Sequence, residues 1–246
     1  MNMSQSQIVI VTGGSRGIGA ATARLAAQSG YKVALNYVHN KAAAENLARE
    51  IGGVAIAADV AVEKDVLRMF QEVDKLGRIS VLVNNAGIVD RSARVDEMTA
   101  ERINRMFAVN VTGSFLCARE AVKRMSKRYG GAGGSIVNLS SVAARIGAPA
   151  MYVDYAASKA AIDTLTLGLS KEVGPEGIRV NAVRPGVVRT EIHATSGDPE
   201  RADRIGKGAP LERAGEPEEI ARAILWLASE EASYVSGAIL DVSGGR

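Results

Sequence analysis

The sequence predicts an α/β fold: a doubly wound sheet of seven mainly parallel strands, with helices on both faces. Short apolar runs alternate with helical patterns along most of the chain, and this β-α-β rhythm is typical of a parallel sheet. A glycine-rich turn at residues 12–19 follows the first apolar run, as in sheets that bind ligands at their carboxyl edge. With right-handed crossovers, the predicted strand order is 3-2-1-4-5-6-7.

Length and composition indicate a single globular domain. The chain has 246 residues, of which 47% are hydrophobic and 23% are charged, so we expect one domain over residues 1–246. Its 30 basic and 27 acidic residues are scattered and only 4% are aromatic, which argues against binding nucleic acid. The polar start and the lack of a run of ~20 apolar residues predict a cytoplasmic protein without a membrane partner. Cys117 has no metal-ligating neighbour in the sequence, so we expect a core residue and no metal site.

The first strand and the turn after it predict a phosphate-binding loop. Residues 8–11 are continuously apolar, as in a strand buried on both faces. The turn reads G-x-x-x-G-x-G, where glycines permit positive φ and let the backbone approach a pyrophosphate at the helix N-terminus. The spacing differs from the common G-x-G-x-x-G, and an ordinary tight turn is the alternative.

The end of the second strand, residues 31–37, bears on which dinucleotide would bind. A site that prefers NAD often places an acid here against the ribose 2′-hydroxyl, but the first carboxylate after this strand is Glu45. Arg16 in the glycine turn could approach a 2′-phosphate, although it could also be an ordinary exposed arginine. We therefore expect NADP(H), with NAD(H) as the alternative, and Asn36 and Tyr37 near the adenosine ribose.

The following elements bring more polar residues to the same edge. We predict helices at 41–51 and 63–76 and strands at 54–57 and 80–83. Asp59 and Val60 follow the third strand and could hold the adenine, with an Asx-type turn as the alternative. Asparagines and small residues at 84–87 follow the fourth strand and suit a cofactor close to the backbone, or a plain structural turn.

The second half of the chain continues the alternation. Residues 99–129 are predicted to be helical with one glycine interruption, and Asn110 lies there among apolar residues, where its amide needs a partner or a water. The fifth strand, 135–139, leads into Ser140 and Ser141, and the sixth, 178–183, leads into Pro185 and Gly186. We interpret residues 187–210 as a substrate lid, 217–228 as a helix and 235–242 as an edge strand.

Tyr155 and Lys159 are four residues apart and share one face of a helix. An ammonium ~4 Å from a phenol supplies about 4 kcal/mol at an effective dielectric of ~20, enough to bring the phenol pKa from ~10 to about 7. Tyr155 is therefore a candidate general acid or base. The alternative is an ordinary surface helix, but the alanines around the pair favour a ligand or a helix in close contact. Tyr152 has Ala156 four residues later, so we expect packing or a substrate loop there.

With these motifs in place, the chain resembles the short-chain dehydrogenase/reductase family over nearly its whole length. Residues 12–19 are similar to the family's T-G-x-x-x-G-x-G loop, 84–87 to its N-N-A-G, and 155–159 to its Y-x-x-x-K. The resemblance implies a Rossmann fold and a catalytic tetrad of Asn110, Ser141, Tyr155 and Lys159. The cofactor contacts expected from the sequence and the resemblance are Gly13, Ser15, Arg16, Gly17, Ile18, Gly19, Asn36, Tyr37, Asp59, Val60, Asn85, Ala86, Gly87, Tyr155, Lys159, Pro185, Gly186, Val188 and Thr190.

The implied reaction is hydride transfer between NADP(H) and a carbonyl or secondary alcohol carbon. The sequence resembles bacterial 3-oxoacyl-carrier-protein reductases and glucose 1-dehydrogenases, which leaves both substrate classes open. Two adjacent serines precede Tyr155, so Ser140 is the alternative to Ser141, which we prefer because it precedes Val142. A dinucleotide-binding sensor or scaffold without turnover is the rival function.

The resemblance also implies a homotetramer built partly from the helices at 99–129 and 155–173. Apolar residues around Val111 and Phe115 spread beyond one helical stripe, and extra apolar surface favours a partner. The apolar edge strand at 235–242 would likewise need covering. The alternative is a monomer whose tail folds over its own sheet.

Overall fold

The sheet has the predicted order. The computed structural model describes residues 7–191 and 200–246. Within these ranges the strands are β1 Gln7–Val11, β2 Lys32–Tyr37, β3 Val54–Ala57, β4 Arg78–Asn84, β5 Gly134–Leu139, β6 Ile178–Pro185 and β7 Ile239–Val242. They form one sheet in the order β3-β2-β1-β4-β5-β6-β7, and every pairing is parallel. The strand order reverses between β1 and β4, so their carboxyl ends border the crevice where such sheets bind ligands.

Helices cover both faces of this sheet. Those that the structure describes are α1 Gly17–Gln28, α2 Lys41–Glu50, α3 Glu63–Asp74, α4 Ala100–Phe107, α5 Gly113–Met125, α6 Ala143–Ile146, α7 Val153–Val173, α8 Arg201–Gly206 and α9 Pro217–Ala228. Side chains alternate along each strand, so Ile8 and Ile10 of β1 face one core while Val9 and Val11 face the other. The first core packs against α3 and α5 and contains Cys117, as expected, and the second packs against α1, α2 and α9.

The stretch predicted to be helical at 99–129, with one glycine interruption, is broken in two places. After α4 the backbone widens into a π-turn at Ala108–Thr112, α5 then ends at Met125, and a short 3₁₀ turn spans Lys127–Tyr129. A π-turn inserts an extra residue into a helix and is common at functional sites. Here Asn110 lies in it.

Several other element ends differ from the prediction, whereas α9 has the predicted bounds. The seventh strand begins only at Ile239, because Gly237 has a φ of +78° and the segment before Ile239 bonds to β6 partly through the Asn181 side chain. Helices α2 and α3 end one and two residues early, at Glu50 and Asp74.

The predicted lid at 187–210 falls partly outside the described residues, which omit 192–199. On its two sides, Val188 pairs with Gly215 in an isolated parallel bridge and α8 begins at Arg201. Across the part of the chain that the structure describes, no helix combines the length and apolar character needed to cross a bilayer.

Candidate active site

The glycine turn between β1 and α1 brings the backbone close to the end of β4. Gly13 has a φ of +61°, a conformation that side chains disfavour, and a Cβ placed on it would lie 3.0 Å from Ala86 Cα. A Cβ on Gly19 would lie 2.5 Å from the Gly13 carbonyl oxygen. The N-cap residue of α1, Arg16, makes no side-chain capping bond. The first N–H groups of α1 therefore remain available to an anion.

A hydroxyl and an amide hold this turn against β4. The Thr12 hydroxyl oxygen accepts hydrogen bonds from the backbone N–H groups of Asn85 and Ala86, each at 3.0 Å. In return, Asn85 Nδ2 donates to the carbonyl oxygens of Thr12 at 2.8 Å and Gly13 at 3.0 Å. Sequence reasoning gave Thr12 no role of its own, although its position directly before the first glycine was a usable signal. The side chain of Asn85, expected to face the cofactor, is committed to the turn.

Asn36 also supports the turn. It is buried, and its Oδ1 accepts from the Gly13 N–H at 2.6 Å while its Nδ2 donates to the Ala58 carbonyl at 2.7 Å. The amide thus joins the end of β2 to the segments that follow β1 and β3. Tyr37, the next residue, is only partly buried at the end of β2.

Asp59 forms the Asx-type turn that was the alternative to adenine binding. Its Oδ1 accepts from the Ala61 N–H at 3.0 Å, and its Oδ2 lies 3.1 Å from the Arg105 guanidinium. Val60 is buried against Gly113, where an added Cβ would approach Val60 Cγ2 to 2.7 Å. Both residues lie at the predicted edge, but the Asp59 carboxylate already has protein partners.

Arg16 differs from the other arginines around the groove beside α1. Arg24 pairs with Glu50 at 2.7 Å, and Arg189 pairs with Asp203 and Glu216. Arg16 is exposed and has no carboxylate partner within the two described ranges. Thr190 lies beside the same turn, since a Cβ on Gly17 would come within 3.1 Å of Thr190 Cγ2.

Asn110 is fully buried and its amide is satisfied. Its Oδ1 accepts from the Ile88 N–H at 2.8 Å, and its Nδ2 donates to the Ile88 carbonyl at 3.0 Å and to Ser158 Oγ at 3.0 Å. The amide therefore fixes the backbone that follows Gly87 and ties it to α7. The partner that the sequence required for this amide is the Ile88 backbone together with Ser158.

Lys159 lies beside this amide. A Cβ placed on Gly87 would be 3.4 Å from both Lys159 Nζ and Asn110 Oδ1. The buried Nζ donates to the Leu139 carbonyl at the end of β5, at 2.7 Å. Burial lowers the Lys159 pKa to about 8, against the opposing effect of the Asp163 carboxylate one turn later.

Tyr155 does not have the lowered pKa expected from its lysine neighbour. Burial raises the pKa of its phenol, and the hydrogen bond with the Ser141 side chain opposes this only in part. Lys159 Nζ lies 5.7 Å from the centre of the Tyr155 ring, with a carbonyl as its hydrogen-bond partner. The estimate from Coulomb's law assumed ~4 Å and omitted the desolvation of the phenolate, so it was wrong for this state of the protein.

The two candidate serines have different surroundings. Ser140 is buried, and its hydroxyl donates to the Lys159 carbonyl at 3.1 Å, which holds α7 against β5. Ser141 Oγ accepts from the Ala143 N–H at 3.2 Å and hydrogen-bonds the Tyr155 side chain. The geometry thus brings Ser141, and not Ser140, together with the tyrosine.

The remaining predicted contacts line the far side of the crevice. The Pro185 carbonyl accepts from the Val142 N–H at 3.1 Å, which joins the end of β6 to the segment after Ser141. The Gly186 N–H donates to the Val242 carbonyl at 3.0 Å, and a Cβ on Gly186 would lie 2.8 Å from Ser243 Cα. Val188 is buried two residues further on.

Two charged residues next to this site were not singled out from the sequence. Asp163 follows Lys159 by four positions on α7, and Arg184 directly precedes Pro185. Arg184 Nη2 contacts Asp163 Oδ2 at 2.7 Å. The i, i+4 spacing from Lys159 was a usable signal for Asp163, but nothing local in the sequence indicated its pairing with Arg184 on another element.

Comparisons with known proteins agree with this geometry. A family model described as enoyl-(acyl carrier protein) reductase matches residues 13–246. The chain is 56% identical to the uncharacterized oxidoreductase YgfF of Escherichia coli, over 97% of this chain and 99% of that protein. It is 39% identical to a 3-oxoacyl-[acyl-carrier-protein] reductase of Synechocystis, over 100% of this chain and 98% of that protein.

A solved structure supports the same assignment. A short chain dehydrogenase/reductase family protein superposes with a TM-score of 0.87 at 36% identity, covering 100% of this chain and 98% of that one. The fold, the glycine turn and the Tyr155–Lys159 face all have the places that the sequence resemblance implied. The chain therefore belongs to the short-chain dehydrogenase/reductase family, oxidoreductases that act on CH–OH groups with NAD(P)(H).

Proposed function

We propose that this protein is an NADP(H)-dependent oxidoreductase that transfers a hydride between the nicotinamide and a carbonyl or secondary alcohol carbon of a small molecule. The observation that carries this proposal is the convergence of Ser141, Tyr155, Lys159 and Asn110 beside the glycine turn, at the carboxyl edge of the sheet. A binding module without turnover would not need a buried lysine next to a tyrosine.

The glycine turn fits a dinucleotide pyrophosphate. The uncapped N-terminus of α1 offers N–H groups to the phosphates, and the absent side chains of Gly13 and Gly19 leave the backbone accessible. Ser15, Gly17, Ile18 and Thr190 border this surface. When bound, the cofactor supplies or accepts the hydride.

The chain's own residues handle the proton. In the direction of reduction, the neutral Tyr155 hydroxyl donates its proton to the substrate oxygen, and Ser141 hydrogen-bonds the same oxygen. Lys159 stabilises the phenolate that remains and holds the nicotinamide ribose. Asn110 keeps the Gly87–Ile88 backbone in place and orders a water that links Lys159 to solvent.

The preference for NADP(H) rests on charge at the end of β2. An acid that would select the ribose 2′-hydroxyl is absent between Tyr37 and Lys41, whereas Arg16 is exposed beside the turn and lacks a carboxylate partner in the described ranges. Arg16 therefore suits a 2′-phosphate.

The test is a scan of purified protein with NADPH and NADH against 3-oxoacyl thioesters and diketones, and with NADP⁺ and NAD⁺ against aldoses and polyols. We expect NADPH oxidation or NADP⁺ reduction with at least one of these classes, and its identity decides between thioester reduction and sugar chemistry. If the wild type binds the cofactor but turns it over no faster than a Tyr155→Phe variant, the sensor function is supported instead.

We further propose that the whole chain is one cytoplasmic domain, with a lid at about 187–210, that assembles as a homotetramer. Phe115 on α5 and Leu167 on α7 are 49% and 43% exposed, which is unusual for large apolar side chains on helices that already cover a sheet. Light scattering tests the assembly. A mass near one chain at micromolar concentration would contradict it, and a mass of two chains would retain the helix interface but exclude one through β7.

A further inference from the structure

A chain of alternating charges runs behind the catalytic residues. Asp163 Oδ2 on α7 contacts the Arg184 guanidinium on β6 through Nε at 3.0 Å and Nη2 at 2.7 Å. Arg184 Nη1 lies 3.5 Å from Asp241 Oδ1 on β7, its partner in the strand register, and Asp241 also pairs with Arg145 of α6. These four residues therefore connect the Lys159 helix, the turn at Pro185 and the segment after Ser141.

One oxygen atom among these four charged residues has no hydrogen-bond partner in the part of the protein that the structure describes. Asp163 Oδ1 is buried and has no hydrogen-bond partner among the described residues. An unsatisfied buried carboxylate oxygen is costly, so its retention calls for an explanation. Asp163 follows Lys159 by one helical turn, and its carboxylate opposes the lowering of the Lys159 pKa by burial.

We propose that Asp163, held in place by Arg184, is a positioning residue that keeps Lys159 charged inside the active site. This inference rests on the proposed function, because it assigns a role to the lysine of that reaction. The Lys159 ammonium is desolvated, and its hydrogen bond among the described residues goes to a neutral carbonyl, that of Leu139. A nearby anion offsets the cost of that desolvation.

Within the described ranges, the elements packed around Lys159 present the following groups. The π-turn contributes the neutral Asn110, and β5 contributes a backbone carbonyl. Arg102 of α4 pairs with Asp154 at 2.8 Å near the start of α7, directly before Tyr155. Beyond Asp163, the charges met on β6, β7 and α6 are Arg184, Asp241 and Arg145, and Tyr155 is the titratable neighbour on α7 itself.

The matched control is Glu120 on α5. It is a buried carboxylate like Asp163 and pairs with Arg119, Lys123 and Arg124, but it is not part of the charge chain at the active site. Glu120→Gln and Asp163→Asn should therefore both lower the melting temperature, since each removes an anion from a partly buried arginine, Arg124 or Arg184. Only Asp163→Asn should change the titration of Lys159.

The experiment measures the pH dependence of kcat/KM for carbonyl reduction in the wild type and these two variants. We expect Asp163→Asn to move the alkaline limb down by about one pH unit, and Glu120→Gln to leave it unchanged. If Asp163→Asn fails to fold, the double variant Asp163→Asn with Arg184→Gln removes both charges, and we expect it to move the limb the same way. A limb that coincides with that of the wild type overturns the proposal.

A second measurement does not depend on turnover. In protein labelled with ¹³C at lysine Cε, the Lys159 resonance is assigned by its loss in Lys159→Met and titrated by NMR. We expect its midpoint to be lower in Asp163→Asn than in the wild type. An unchanged midpoint refutes the role of Asp163. A wild type without turnover refutes the proposed function, and the NMR titration then still tests the effect of Asp163 on Lys159.

Discussion

The two sides of the crevice are built on different physics. The cofactor side, from Thr12 to Asn36 and Asn85, is held by hydrogen bonds among neutral amides, hydroxyls and backbone groups. The catalytic side places an ionisable ammonium, Lys159, in a buried position and an ionisable phenol, Tyr155, in a partly buried one. The behaviour of the first side follows from backbone geometry, whereas that of the second depends on how desolvation balances nearby charge.

The two sides therefore make different contributions to the stability and the activity of the protein. Neutral hydrogen bonds fix the shape of the turn at every pH and leave its N–H groups available to phosphates. Buried ionisable groups are less stable in their charged forms, and that cost is what makes their protonation responsive to substrate and cofactor. Changes on the cofactor side should therefore alter stability and affinity, and changes on the catalytic side should alter rate and its pH dependence.

The largest effect is expected on the catalytic side. Tyr155→Phe removes the proton donor and should lower kcat/KM by about 10²- to 10⁴-fold, while NADPH still binds. Tyr152→Phe is the matched control, because Tyr152 is a buried neighbour whose ring lies against the Arg201 guanidinium at 5.0 Å, a contact that phenylalanine retains. Steady-state kinetics and fluorescence titration measure both. Equal losses in the two variants would mean that packing, and not proton transfer, explains the effect.

On the cofactor side, Thr12→Val should act first on stability. It leaves the N–H groups of Asn85 and Ala86 without their acceptor, at a cost of about 1–3 kcal/mol in the free energy of unfolding. Urea denaturation measures this cost, and Thr12→Ser, which keeps the hydroxyl, should recover most of it. If Val and Ser variants are equally stable, the hydroxyl does not hold the turn.

The smallest effect is expected at the rim of the cofactor side. Arg16→Ala should weaken NADPH binding about tenfold, or ~1.4 kcal/mol, and leave NADH affinity nearly unchanged. Arg24→Ala is the control, since Arg24 is in the same groove but already pairs with Glu50. Calorimetric titrations with NADPH and NADH measure the affinities of the wild type and both variants. If Arg16→Ala keeps the preference for NADPH, another group selects the cofactor.

Much of the fold was predictable because its signals are local. The apolar runs of β1 and β4, the glycines of the turn and the ends of α9 each depend on neighbouring residues, and strand order then follows from β-α-β connectivity. The π-turn at Asn110 was not predictable, since the Ile88 and Ser158 partners of that amide lie on other segments. The same reason explains why the support that Asn36 gives to the turn was not predicted: its bond to Gly13 joins β2 to the turn after β1.

Of the candidate site, the residue types were predictable but their electrostatics were not. The four-residue spacing correctly placed Tyr155 and Lys159 on one helix, with Lys159 buried and Tyr155 partly buried. The cost of desolvating the Tyr155 phenolate depends on every element packed around it, and spacing along one helix does not reveal that cost. The expected lowering of the Tyr155 pKa was therefore wrong. Likewise, spacing alone could not separate Ser140 from Ser141, whereas their hydrogen bonds do.

The pH dependence of carbonyl reduction by the wild type tests the catalytic side most directly. Because burial raises the Tyr155 pKa, the proton that reduction consumes stays bound through neutral pH. Lys159, with a pKa of about 8, loses its charge first as the pH rises. We therefore predict that kcat/KM is constant through neutral pH and falls from about pH 8 upward. A fall in kcat/KM centred at or below about pH 7 would contradict this account. It would mean that the charge on Lys159 outweighs the effect of burial and lowers the Tyr155 pKa.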